Sequence, residues 1–264
     1  MGIAAKAPVA VTGDAGSAHR YDVLGVPMSV TSVNDAARTL MRWAEDDVGR
    51  LVCVRDVHGL MLSLKDGGVR AAHEAASMIT PDGMPLALVG RLRGLPVQRT
   101  PGADLMDAAM DMGRAHGIRH YLYGGDVGVA DQLKARLEAK YPGVQIVGTF
   151  CPPFRKPTTD EDAATRQAVA ESGAHLVWVG LSTPKQEYWM LENYRHMSAT
   201  LLGVGAAYDF LSGRKARAPM WMRNHGLEWL HRLWSEPKRL WRRYLVLAPK
   251  FLFLLTIHAI RGKS

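Results

Sequence analysis

The sequence predicts an α/β protein: a Rossmann-like sandwich with a mostly parallel sheet, followed by a C-terminal helical appendage. Three observations predict it. Short, nearly all-apolar runs recur along the chain, which suits parallel strands covered on both faces. Longer stretches with helical spacing lie between them, the alternation expected of an open α/β sheet. After Gly213 the chain turns basic and rich in tryptophan.

In chain order, residues 1–20 are rich in Ala and Gly and read as a flexible lead-in without the continuous apolar stretch of a secretory signal. Residues 21–212 are the expected core. Residues 21–30 suggest an early hairpin or edge strand. Candidate strands follow at 51–54, 77–79, 120–123, 145–147, 176–179 and 201–204. Candidate helices are 104–116, where Leu105, Ala108, Ala109 and Met112 share a face, then 127–140, 160–171 and 186–196. Asp160-Glu161-Asp162 and Glu45-Asp46-Asp47 read as exposed acids at helix starts. Residues 213–264 are the appendage. Trp221, Trp229, Trp234 and Trp241 are interleaved there with Arg223, Arg232, Arg239, Arg242 and Arg243, and Pro237 suits a first helical turn.

Of 264 residues, 47% are hydrophobic and 22% charged, enough for a substantial core and against wholesale disorder. The net charge of +8 is unevenly placed: the appendage holds twelve basic and two acidic residues, so the rest is near neutral. Such a tail implies an anionic partner: nucleic acid, a phosphate-bearing ligand or a membrane surface. No segment reaches the ~20 apolar residues that span a bilayer. The longest, 244–260, is interrupted by Pro249, Lys250 and His258, and with the tryptophans it favours lying in the headgroup zone. Cys53 and Cys151 are the only cysteines, and neither belongs to a C-x-x-C pair, so no zinc or redox motif is visible.

Four motifs stand at expected strand ends, where open α/β sheets bind ligands. Thr80-Pro81-Asp82-Gly83 is a turn signature, and its carboxylate is also placed to take a proton from an attacking hydroxyl. Tyr123-Gly124-Gly125-Asp126 reads either as a tight connection or as a phosphate loop at a helix N-terminus, without the full G-x-G-x-x-G. In Gly180 to Glu187, Ser182 or Thr183 is a candidate helix cap with Pro184 in the first turn and Glu187 completing the cap. Lys185 and Gln186 would project near the sheet edge. Gly203 to Phe210 places Asp209 where it can accept hydrogen bonds from a ribose or base, or simply sit in a small-residue turn. No Asp-x-Asp pair follows a hydrophobic run, so no metal site is expected, and arginines become the candidates for holding phosphate charge.

Taken in order, these landmarks resemble the WecG/TagA/CpsF family of bacterial glycosyltransferases. They are Thr80 to Gly83, Arg99 with Gly102 and Asp104-Leu105, Tyr123-Gly124-Gly125 and Val179-Gly180-Leu181 with Pro184 to Glu187. Gly205 to Gly213, Arg217-Ala218-Pro219, Gly226 to Leu230 with Arg232, and Glu236 to Leu240 with Arg242-Arg243-Tyr244 complete the set. The resemblance implies inverting, metal-independent transfer of a sugar from a UDP-sugar to a sugar on polyprenyl diphosphate, in cell-surface polysaccharide synthesis. It implies no cofactor, no nucleic acid, and a peripheral position on the cytoplasmic face of the inner membrane. By its motifs Asp82 is the base. Thr80, Arg99, Gly124, Gly125, Lys185, Gln186 and Asp209 stand on the donor side. Arg232, Arg239 and Arg242 steady the diphosphate. Many members carry Thr-x-Asn near the end of the second strand; here the stretch is Val54-Arg55-Asp56, so a donor-side contact differs. Two other classes compete. An NAD-dependent oxidoreductase or epimerase lacks its glycine fingerprint here. A nucleic-acid binder leaves the apolar run in the tail unexplained.

Overall fold

The structure is a computed structural model and describes residues 19–261. The expected lead-in at 1–20 therefore lies almost wholly outside the described residues. The chain opens with an antiparallel hairpin, β1 (Arg20–Val23) and β2 (Val26–Ser29). Its two-residue turn, Leu24-Gly25, has φ of 55° and 86°, the left-handed pair that a tight hairpin demands.

Six further strands form one wholly parallel sheet: β3 (Arg50–Arg55), β4 (Met78–Pro81), β5 (Arg119–Gly124), β6 (Gln145–Phe150), β7 (Leu176–Gly180) and β8 (Thr200–Gly203). Their order is β4-β3-β8-β7-β5-β6. Alternation along the strands divides the core in two. Val52, Leu122, Trp178 and Leu202 face one apolar layer; Leu51, Cys53, Tyr123, Val177 and Leu201 face the other. The first layer is covered by α1 (Val33–Trp43), α5 (Gly102–Gly113) and α6 (Val129–Lys140). The second is covered by α2 (Val57–Ser63), α3 (Gly67–Ala75), α4 (Met84–Leu92), α7 (Thr159–Ser172) and α8 (Lys185–Asn193).

All six expected strands form, each displaced by no more than a few residues. Pro81, expected just past a strand, is its last residue. β4 lies at the sheet edge, where a missing N–H costs no ladder bond. Glu45-Asp46-Asp47 follows the end of α1 rather than starting a helix, and Asp46 pairs with Arg50 at 2.7 Å. The proposed cap at Ser182 or Thr183 does not form. Pro184 precedes α8 without a side-chain cap bond, and Glu187 turns inward.

Beyond the short α9 (Ala207–Leu211), the appendage folds as α10 (Met220–Asn224), α11 (Glu228–Ser235), α12 (Pro237–Trp241), a π-helical stretch (Arg242–Leu247) and α13 (Ala248–Arg261). Pro249 lacks an N–H and crowds the carbonyl of Leu245, which accounts for the widened turn before it. The helix nevertheless runs unbroken from Pro237 to Ile260, 24 residues, so by length and composition it can cross a membrane. The interruptions at Pro249, Lys250 and His258 therefore did not shorten it as the sequence suggested. Only Leu240 and Phe251 of this helix are buried, and Phe251 joins the core layer beneath α2. Leu245, Val246, Leu252, Phe253 and Ile260 stay exposed.

Candidate active site

Parallel strands bring their carboxyl ends to one edge, and a cleft of about 1070 Å³ opens there, roofed by the appendage. Asp82 enters it between the end of β4 and the start of α4. Its backbone N–H donates to the carbonyl of Arg55 at 2.7 Å, which fixes the turn. Its carboxylate is about one third exposed to the cleft. Burial raises its pKa above the usual carboxylate range. Arg99 opposes this, Glu228 adds to it, and Arg232 and Arg217 oppose it more weakly.

Arg99 is held by three elements at once. Its Nε donates to the carbonyl of Asp82 at 2.6 Å, and Nη1 reaches the carbonyl of Arg223 at 3.5 Å. Its Nη2 pairs with Glu228 of α11 and lies 3.6 Å from the Asp82 carboxylate. Arg217 extends this network, pairing with Asp104 at 2.5 Å.

Beneath the cleft lies a buried ion pair. Arg55 donates to Glu187 at 2.5 Å, and the two side chains are 1% and 0% exposed. Burial works against the arginine's charge, but the adjacent carboxylate more than compensates and raises its pKa. Thr183 and Gln186 also donate to Glu187 Oε1, at 3.0 and 3.1 Å. Gln186 is thus fixed in the floor, with its own carbonyl oxygen unpartnered. A Cβ at Gly203 would come within 3.0 Å of the Gln186 amide. The small residue there lets the glutamine lie flat. Tyr123 stacks on Trp189, with ring centroids 4.0 Å apart, and forms the adjoining wall.

Of the expected site residues, Asp82, Arg99, Gly125, Lys185, Gln186, Asp209, Arg232, Arg239 and Arg242 all line the cleft. Two do not. Thr80 is fully buried and its hydroxyl donates to the carbonyl of Thr100 at 3.3 Å, because β4 extends past it. Gly124 serves strand contact: its φ is 117° and a Cβ would meet the Gly180 backbone at 2.8 Å. The helix N-terminus expected beside Gly125 is also displaced. α6 begins only at Val129, and its first residues stand outside the cleft. Lys185 sits at the mouth, its ammonium 3.6 Å from the centre of the Phe154 ring. Asp209 is bridged by Lys215 to Glu236, at 2.9 and 3.2 Å. Arg232 rests over Phe210, while Arg239 and Arg242 are exposed along the roof.

Asp56, the departure noted in the sequence, does two things. One oxygen accepts from the N–H of Gly59 at 2.9 Å and caps α2, and the other pairs with Arg243 of the appendage. Sequence reading missed Arg55–Glu187, Glu228 and Arg243, whose partners lie far away along the chain. For Glu228 a signal existed: it is one of only two acids in the basic tail. Among the described residues, no three His, Cys, Asp or Glu side chains converge as a metal cage.

The model of the glycosyl transferase WecG/TagA/CpsF family matches residues 21–264. The chain belongs to that family. It is similar to the N-acetylglucosaminyldiphosphoundecaprenol N-acetyl-beta-D-mannosaminyltransferase of Bacillus spizizenii, 31% identical over 191 residues, 71% of each chain. Family membership decides for glycosyl transfer over the oxidoreductase and nucleic-acid alternatives.

Proposed function

We propose that this family member transfers a sugar from a UDP-sugar to a sugar carried on polyprenyl diphosphate, with inversion and without a metal ion. The observation that carries the mechanism is the placement of Asp82. It is a partly exposed carboxylate of raised pKa at the sheet's carboxyl edge, facing arginines across a nucleotide-sized cleft. The relative's acceptor and transferred sugar supply the first candidates: N-acetylglucosaminyl diphospho-undecaprenol and N-acetylmannosamine.

In this reading the donor lies across the edge over Gly125, Gln186 and Tyr123. Asp82 takes the proton of the acceptor hydroxyl as that oxygen bonds to the anomeric carbon. The bond from that carbon to the diphosphate oxygen breaks on the opposite face, and UDP leaves with its added negative charge. Arg232, Arg239 and Arg242 stand on the roof to receive that charge. The exposed apolar side chains of α13 rest in the headgroup zone at the cytoplasmic face of the membrane, which keeps the enzyme beside its lipid substrate. Lys238, Arg239, Arg242 and Arg243 crowd the start of the continuous helix, Pro237–Ile260, that ends in α13. Arg243 is tied to Asp56, which favours a helix lying along the surface rather than crossing it.

The test is mass-spectrometric. The purified chain is offered a panel of UDP-sugars with a short polyprenyl diphosphate N-acetylglucosamine acceptor. Asp82→Asn, folded, is expected to lose about 10²–10⁴-fold in turnover. Near wild-type transfer by that variant would remove Asp82 as base.

A further inference from the structure

Glu228 has no assigned part in the chemistry above, yet its carboxylate, on the appendage, engages the base's neighbour. It opens α11, its side chain is 12% exposed, and it pairs with the same Arg99 Nη2 that stands 3.6 Å from Asp82. The guanidinium therefore sits between two carboxylates, one on the sheet and one on the appendage, and its closer contact is with the appendage. The other acid of the tail, Glu236, is occupied elsewhere by Lys215 and Arg239.

The charges facing Asp82 come from three segments. Arg99 arrives from the loop before α5. Arg217 comes from the connection to α10. Arg232 and Glu228 come from α11. Asp104 lies beyond Arg99 and is taken by Arg217 and Arg223, and Asp56 is taken by Arg243. Among the described residues, Glu228 is thus the one anion set against three cations that act on the carboxylate. Without it, the carboxylate nearest to Arg99 Nη2 would be that of Asp82. A carboxylate bound by a guanidinium holds its charge well but accepts a proton poorly.

We propose that Glu228 is a positioning residue that draws Arg99 off the Asp82 carboxylate, so that docking of the appendage completes the catalytic base. The idea rests on the reading of Asp82 as base. It deepens that reading by making the roof a condition of basicity as well as a clamp on the leaving group. The raised pKa of Asp82, to which Glu228 contributes, agrees with this arrangement.

The experiment is the pH profile of kcat/KM for the full chain with UDP-sugar and lipid acceptor, for wild type and Glu228→Gln. Removing Glu228 takes away an influence that raises the pKa, so the acid limb should move to lower pH, by about one unit. Turnover at neutral pH should fall about tenfold with little change in donor KM, and Glu228→Asp should recover part of both. In an Arg99→Gln background the limb shift caused by Glu228→Gln should shrink, because its intermediary is gone. A Glu228→Gln limb at the wild-type position would overturn the proposal, even with reduced turnover, because a structural residue lowers rate without moving the limb. If Glu228→Gln does not fold, the limb of Glu228→Ala, which also lacks the charge, decides in the same way. Failure of the base reading itself shows separately, as an active Asp82→Asn. An inactive Asp82→Asn with an unmoved Glu228→Gln limb sinks this inference alone.

Discussion

The sheet edge and the appendage carry their charges in opposite ways. At the edge, Arg55 and Glu187 are fully buried, closely paired and surrounded by further hydrogen bonds. On the appendage, Arg242 is exposed over a neighbouring ring, Arg232 rests on Phe210, and Arg239 holds only an adjacent glutamate. A buried pair is committed: it joins Arg55 Nη2 to Glu187 Oε1 and fixes the floor on which Gln186 lies, although Arg55 Nε and Glu187 Oε2 have no partner. Guanidinium groups held only by a surface pair or a ring face can turn to an arriving diphosphate. The comparison teaches that geometry is set by the core, whereas, in the proposed mechanism, the counter-charge for the leaving group comes from outside the core. Glu228 and Asp56 are where the two regimes meet.

The comparison breaks most severely if the buried pair turns out to be dispensable. Glu187→Gln leaves Arg55 charged and unpaired in the interior, which should cost about 3 kcal/mol of unfolding free energy. Urea unfolding checks this. An unchanged midpoint would show that the floor does not depend on the pair.

A smaller effect sharpens the other side. Leu252 and Phe253 are exposed on α13, at 58% and 65%. Leu252→Glu should weaken sedimentation with anionic phospholipid vesicles by about tenfold or more, with the fold intact, since one buried apolar side chain is worth about 1.5–3 kcal/mol. Unchanged sedimentation would remove this face as the contact.

Much of the sheet was legible because period-two burial and near-continuous apolar runs are local properties. Residues 176–179 read as a buried strand without knowledge of any neighbour. The helices α1 to α4 were not read, although Ser32, which accepts the N–H of Asp35, is a start signal that the sequence displays. α2 and α3 span only seven and nine residues, too short for periodicity to stand out. The lining of the candidate cleft was legible where motif and strand end coincide, at Asp82, Gly125 and Gln186. It was illegible where a side chain is answered from afar. Arg55 and Glu187 are 132 residues apart, and Arg99 and Glu228 are 129 apart. No local pattern announces such pairs. Thr80 and Gly124 were misplaced for a related reason: a strand lengthened by one or two residues turns a rim position into an interior one.

The proposed division of labour between a core carboxylate and appendage arginines is tested most directly by one turnover measurement. It compares wild type with the combined Arg232→Ala, Arg239→Ala and Arg242→Ala variant, each in EDTA and in excess magnesium. Wild-type turnover should be the same in both, and the variant should fall by about 10²–10³-fold in both. Wild-type turnover that vanishes in EDTA and returns with magnesium, or a variant that keeps wild-type turnover, would contradict the account.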